Sequence, residues 1–152
     1  MRRLRLILLI LLGLVVFLAI SAVLSRVLSL DSAERTAIIG LLQSQARGDA
    51  ARMIRQIRGC GQDSACRERA GENASRLRRA GSVKILELGS SAGFSLGSTV
   101  GTSRVAWRAG NALPVVQCVR VRRAGNVLSG FHIELLEISR RIQTDADCPA
   151  RY

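Results

Sequence analysis

The chain has 152 residues, 48% of them hydrophobic and 3% aromatic, with a formal net charge of +12. That is enough for one small folded domain beside any membrane segment, and not for two separate cores. Lys84 is the sole lysine, so the basicity is arginine, a bias that a GC-rich genome produces by codon usage alone. After residue 30 the aromatics are Phe94, Trp107, Phe131 and Tyr152, too few to interleave with the arginines as stacking platforms, so nucleic acid is not the expected partner.

Residues 6–24 contain no charge, and Ser21 is their one polar side chain. At 1.5 Å rise per residue they form a helix about 28 Å long, close to the roughly 30 Å hydrocarbon core of a bilayer. Fifteen of them are Leu, Ile, Val or Phe, which together favour insertion by about 5–9 kcal/mol. A cleaved leader shares the basic start and apolar run, and Ala19-Ile20-Ser21 before Ala22 has the form of a cleavage site; cleavage there would make the domain secreted. The run stays apolar beyond that site through Val23, Leu24, Val27 and Leu28, which points to an uncleaved anchor. Arg2, Arg3 and Arg5 precede the span, so residues 1–5 are expected in the cytoplasm and the domain outside it, in the envelope of a bacterial cell. Residues 1–30 hold four arginines and no acid, leaving the remainder at about +8 (19 cations against 11 anions). Beside a membrane such a domain is attracted to anionic lipid head groups at about 1 kcal/mol per nearby cation.

Beyond a short linker at residues 25–31, the spacing predicts three helices. Asp31 and Glu34 have the form of a capping box, followed by an apolar face of Ile38, Leu41 and Leu42. The pattern breaks at Gly48-Asp49, where Asp49 can cap a second helix carrying Met53, Ile54 and Ile57, ended by Gly59. Asp63 can cap a third, reaching about Ala80, with a thin face of Cys66, Ala70, Ala74 and Leu77 and a Glu72–Arg76 pair at i,i+4. The Asn73-Ala74-Ser75 sequon within it reads as coincidence.

From Gly81 the character changes to strand. Residues 82–88 (SVKILEL) are β-rich. Residues 89–103 are rich in Gly, Ser and Thr, with Phe94 and Leu96 suggesting an interrupted strand. Residues 102–108 form a strand around Trp107, and Ala109-Gly110-Asn111 a turn. Residues 115–123 and 127–138 complete a meander of about four strands, with Gly130 read as a bulge. Helices first and strands after give an α+β domain over residues 32–142, a curved antiparallel sheet with two or three helices on one face.

Cys60, Cys66, Cys118 and Cys148 all follow the apolar run. An even count in a small exported domain reads as disulfides, and the spacings lack the paired CxxC or HxxxH knuckles of a zinc site. Three pairings are open. Cys60 with Cys66 is favoured, as near neighbours at a helix–helix turn, which leaves Cys118 with Cys148 to tie back the tail at residues 143–152. Chain entropy assigns about 2–2.5 kcal/mol to the short loop and about 3.5–4 to the long one.

No HExxH or Walker sequence occurs, no nucleophile–base pair has a recognisable spacing, and the glycines between 89 and 101 lack the lysine and helix start of a phosphate loop. No catalytic, cofactor or metal residue is therefore assigned. Arg120, Arg122 and Arg123 read as a basic strip along a solvated strand edge that discourages strand addition, with a binding patch as the alternative. Strand period places His132, the one histidine, on the same face as Glu134, with Arg120 or Arg122 near on the neighbouring strand.

The helices-then-meander order, with the break Gln45-Ala46-Arg47-Gly48-Asp49, resembles the NTF2-like (cystatin-like cone) superfamily. With the anchor, the chain is similar to the Mce-associated membrane proteins, and more loosely to membrane-anchored scaffolds of secretion systems. The likeness covers residues 32–140 at the level of architecture, and its local motif is the Gly48-Asp49 pair. Enzymes on that fold use Asp/His pairs inside the cone, and the resemblance makes Trp107, Phe131, His132 and Glu134 the residues of a candidate pocket. The expected function is a non-enzymatic interaction or scaffold subunit of a cell-envelope complex, with a protein partner there. A cone carrying a small apolar or anionic ligand is the alternative, and a hydrolase or isomerase of the same fold the third class.

Overall fold

The computed structural model of the chain describes residues 2–90, 97–126, 130–144 and 146–149, the side chains of residues 2–6 and 26–28 excepted. The elements are α1 (Arg2–Arg47), α2 (Ala50–Gln56), α3 (Ser64–Arg76), β1 (Val83–Ser90), β2 (Thr99–Ala109), β3 (Val115–Asn126) and β4 (Gly130–Ile138). The class is α+β, with a four-stranded antiparallel sheet in the order β1-β2-β3-β4. The sheet stays open, with β1 and β4 at its edges.

Helix α1 has 46 residues and runs without a break from the apolar segment into the domain. This corrects the linker at residues 25–31 and the cap at Asp31. Nothing there breaks a helix: the stretch has no Gly or Pro, and Ser25 Oγ donates back to Ala22 O at 2.9 Å. Ile7–Leu24 stands free of the protein, with Leu9 68% and Phe17 66% exposed. By length and composition this helix can cross a membrane. Further along, Ile38, Leu41 and Leu42 are wholly buried.

The next helices follow their caps. Gly48 at φ +79° reverses the chain, and Asp49 accepts from Arg52 N at 2.8 Å to start α2. Asp63 accepts from Ala65 N and Cys66 N to start α3, which ends at the Leu77 cap, earlier than the sequence suggests. Cys66, Ala70 and Ala74 bury its narrow face, and Glu72 bonds both Arg76 and Arg140. Asn73 of the sequon is buried and donates to Ser139 O at 3.0 Å, which removes it from any modifying enzyme in the folded state.

Helices α1, α2 and α3 lie on one sheet face and enclose the core, where Met53, Val105, Trp107 and Val119 are fully buried. Bulges at Ile85/Glu87 and Arg120/Val121 interrupt the ladders. Gly130 is not a bulge; it opens β4 opposite Asn126. Strand β3 runs through Gly125, where φ is +109° and a Cβ would stand 2.1 Å from Gly130 O, so glycine is required for the close approach. The expected Val127, Phe94 and Leu96 lie outside the described residues.

Beyond β4 the chain continues beside β3, with Ser139 N donating to Cys118 O and Ile142 N to Val116 O. It then crosses the helix-free face, where Arg104 donates to Thr144 O and Ala146 O and Cys148 joins Cys118.

Candidate functional site

Two buried polar clusters bind α1 to the sheet. In the first, Glu34 lies on the same helical stripe as Leu30 and Ile38 and is 2% exposed. Its Oε1 accepts from Ser103 Oγ at 2.5 Å, and its Oε2 accepts from Arg123 Nη2 at 2.8 Å and Nε at 3.1 Å. Arg123 Nη2 also bonds Asp31 Oδ1 at 2.8 Å. Burial alone pulls the Arg123 pKa down, but the bond and charge of Glu34, then of Asp31, outweigh it and hold the guanidinium above its ordinary value. In the second cluster the side chain of Gln117 is shared. Its Oε1 accepts from Gln45 Nε2 at 2.8 Å and Trp107 Nε1 at 2.9 Å, and its Nε2 donates to Ser139 O at 2.9 Å. Gln45 and Gln117 are wholly buried.

The helix-free face carries a ladder of charge. Register sets Arg122 opposite Glu134, Ala124 opposite His132, and, past the bulge, Arg120 opposite Glu137. His132 Nε2 stands 3.3 Å from Glu134 Oε1, and Arg122 Nε 4.0 Å from Glu134 Oε2. Arg58, at the end of α2, reaches round the sheet edge to the same carboxylate. The Arg58 hydrogen bond is the main reason Glu134 sits below the usual carboxylate range; partial desolvation opposes it, and His132 and Arg122 add to the lowering.

The candidate pocket residues are not brought together. Trp107 fills the core beside Val115, whereas Phe131 pairs with Gly125 at the other end of the sheet. His132 and Glu134 do meet, as the period of two requires, but on the opposite face from Trp107, with His132 66% exposed. A carboxylate thus lies within hydrogen-bonding reach of the histidine, already committed to Arg58 and Arg122. The basic strip is also divided. β3 is an inner strand, not an edge, and Arg123 points to the helices while Arg120 and Arg122 point away.

Cys60 pairs with Cys66 and Cys118 with Cys148, at Cα separations of 5.3 and 5.7 Å. Among the described residues no group of His, Cys, Asp and Glu could hold a metal ion. Sequence reading missed Glu34, Gln45, Ser103 and Gln117. The signal for the first two was present: both fall on the stripe that carries Ile38, Leu41 and Leu42, so their burial was legible.

Open clefts border the domain. One of about 520 Å³ lies between α1, α2 and the outer edge of β4. Another, of about 460 Å³, lies beside Asp31, Arg35 and Leu88. No protein-family model, curated protein or solved structure matches this chain.

Proposed function

We propose that this chain is a single-pass membrane-anchored, extracytoplasmic interaction domain, a non-enzymatic subunit of a bacterial cell-envelope complex. The observation that carries this reading is the packing at Trp107: it is wholly buried and its indole N–H is bonded, so among the described residues side chains occupy that part of the space between helices and sheet. The uninterrupted α1 supports anchorage, because it joins an uncovered apolar segment rigidly to the core. Disulfides support an oxidising compartment. With Arg2, Arg3 and Arg5 retained in the cytoplasm, the cysteines would meet that compartment, and the basic domain would lie near anionic head groups. The helices-first order and the Gly48-Asp49 break support an NTF2-like plan.

Photo-crosslinking groups placed at Val100, Arg122 and His132 on the helix-free face, and at Thr36 and Arg55 on the cleft rim, test the interaction reading in native membranes. A discrete protein adduct from one of these two surfaces, with none from Arg69 on α3, is expected. Silence at every position, or a small apolar molecule retained in native mass spectra, overturns it. The intact mass of the membrane-extracted chain tests the anchor, which fails if residues 1–21 are missing.

A further inference from the structure

We propose that the cleft at the outer edge of β4 receives an extended acidic segment of a protein partner, added strand-on-strand at Ile133. This rests on the interaction reading above and names its site.

The backbone argument comes first. Arg58 N donates to Leu135 O at 2.8 Å, and Ile57 bridges Leu135 in parallel. The Leu135 carbonyl is therefore turned away from β3, which makes Val121↔Leu135 a pair without hydrogen bonds to each other. Antiparallel pairs alternate, so Arg123↔Ile133 is of the same kind, and the N–H and C=O of Ile133 also point off the edge. Among the described residues, the bridge at Leu135 is the one pairing on that side of β4. Strand edge left in this state is a template for another strand. The open portion, residues 130–133, spans about 10–13 Å, room for about four residues of an incoming chain.

Side chains then select what enters. Thr36, Ala37 and Gly40 of α1 wall the cleft opposite Ile133, while Arg55 and Gln56 of α2 close it above. Gln56 Oε1 is buried and meets no hydrogen-bond donor among the described residues. Turned into the cleft, the Gln56 amide would accept a backbone N–H of the incoming segment, which supplies what that oxygen lacks. Arg58 and Glu134 neutralise one another, but Arg55 forms no ion pair among the described residues. An acidic side chain therefore suits the mouth of the cleft, and a basic one meets Arg55 and a domain of net positive charge. The partly apolar wall of Ala37 and Ile133 stands beside the outward backbone groups of β4, which a strand can pair with and a helix, its own backbone already bonded, cannot.

The test uses the full-length protein in lipid nanodiscs. The probe is an acetylated, amidated peptide of about eight alternating valine and glutamate residues, titrated by fluorescence anisotropy. Binding should weaken about tenfold or more when glutamate is replaced by lysine, when alternate peptide nitrogens are methylated, or when the protein carries Arg55→Glu. Arg55→Glu should also improve binding of the lysine peptide. Ile133→Pro, which removes the outward donor and no bond to β3, should abolish binding while Ile133→Val retains it. Should the proline variant misfold, the methylated peptide removes the same backbone bonds with the protein unaltered. Failure of the parent peptide to bind, or equal binding of its methylated form, overturns the site. If that happens while Val100, Arg122 or His132 still crosslink a partner, the cleft alone is wrong; if nothing crosslinks either, the interaction reading falls with it.

Discussion

Helix α1 is held to the sheet at two places by opposite chemistry. Around residue 34 the tie is ionic, Glu34 and Asp31 gripping Arg123 with Ser103 completing the carboxylate. Around residue 45, about 16 Å further along the helix, it is neutral, with Gln45, Gln117, Trp107 and Ser139 sharing amide and carbonyl groups. Both are buried at their centres, with Asp31 exposed at the rim of the first, and in both the polar atoms find partners. They differ in what a single deletion leaves behind. Removing Arg123 strands a charge, whereas removing Gln117 strands dipoles, and a stranded charge costs more. The ionic tie also lies nearest the apolar segment, so a force on that segment meets it first.

The largest effect should come from the ionic end. Arg123→Ala is expected to destabilise the domain by about 3–5 kcal/mol, read as a lowered urea midpoint, because Glu34 stays buried and unpaired. Replacing the cluster with Glu34→Leu, Ser103→Ala and Arg123→Met together should recover most of that loss. If the single change proves as mild as a surface substitution, the tie is solvated and the contrast disappears.

A smaller loss is expected at the neutral end. Gln117→Leu leaves the Trp107 indole N–H and the Gln45 amide unpaired, while Ser139 O keeps its bond from Asn73. About 2–3 kcal/mol should be lost. Trp107 fluorescence offers a local readout, since its spectrum should shift with the lost bond. An unchanged spectrum with unchanged stability would show that the amides contribute little.

The smallest effect concerns the exposed ladder. Glu134 is held below its ordinary carboxylate range chiefly by Arg58. Its contribution to stability is therefore present above the unfolded value near 4.5 and is lost as pH falls through the lower folded value. Arg58→Gln should move the Glu134 carboxyl titration, followed by NMR, upward toward the ordinary range. No movement would mean that Arg58 does not hold this carboxylate in solution.

Much of the secondary structure was legible because its signals are local. Asp49 and Asp63 each stand before a helix and cap it; Gly48 and Gly59 each end a helical pattern and adopt positive φ. The cysteine pairing was legible from proximity and elimination. Helix continuity through residues 25–31 was hidden in the sequence because Asp31 and Glu34 have the form of a cap, although they serve as ion-pair partners. The candidate site fared worse. Arg123 differs in parity from Arg120 and Arg122, so its opposite face could have been read from the period of two. That β3 is an inner strand was already contained in the four-strand meander order, whereas the register that sets Trp107 and Phe131 at opposite ends of the sheet could not be read locally.

By itself, then, the sequence determined the apolar span, the caps at Asp49 and Asp63, the α+β order and the face shared by His132 and Glu134. Each of these depends on neighbours within one or two turns or along one strand. Tertiary structure alone decided that Glu34 meets Arg123, 89 residues away, that Gln45 meets Gln117, 72 away, and that Arg58 reaches Glu134, 76 away. Such meetings follow from sheet register and from how the helix layer is laid across it. A one-residue slip in register would exchange every side chain between the faces, and no local pattern in this chain reveals which register closes the core.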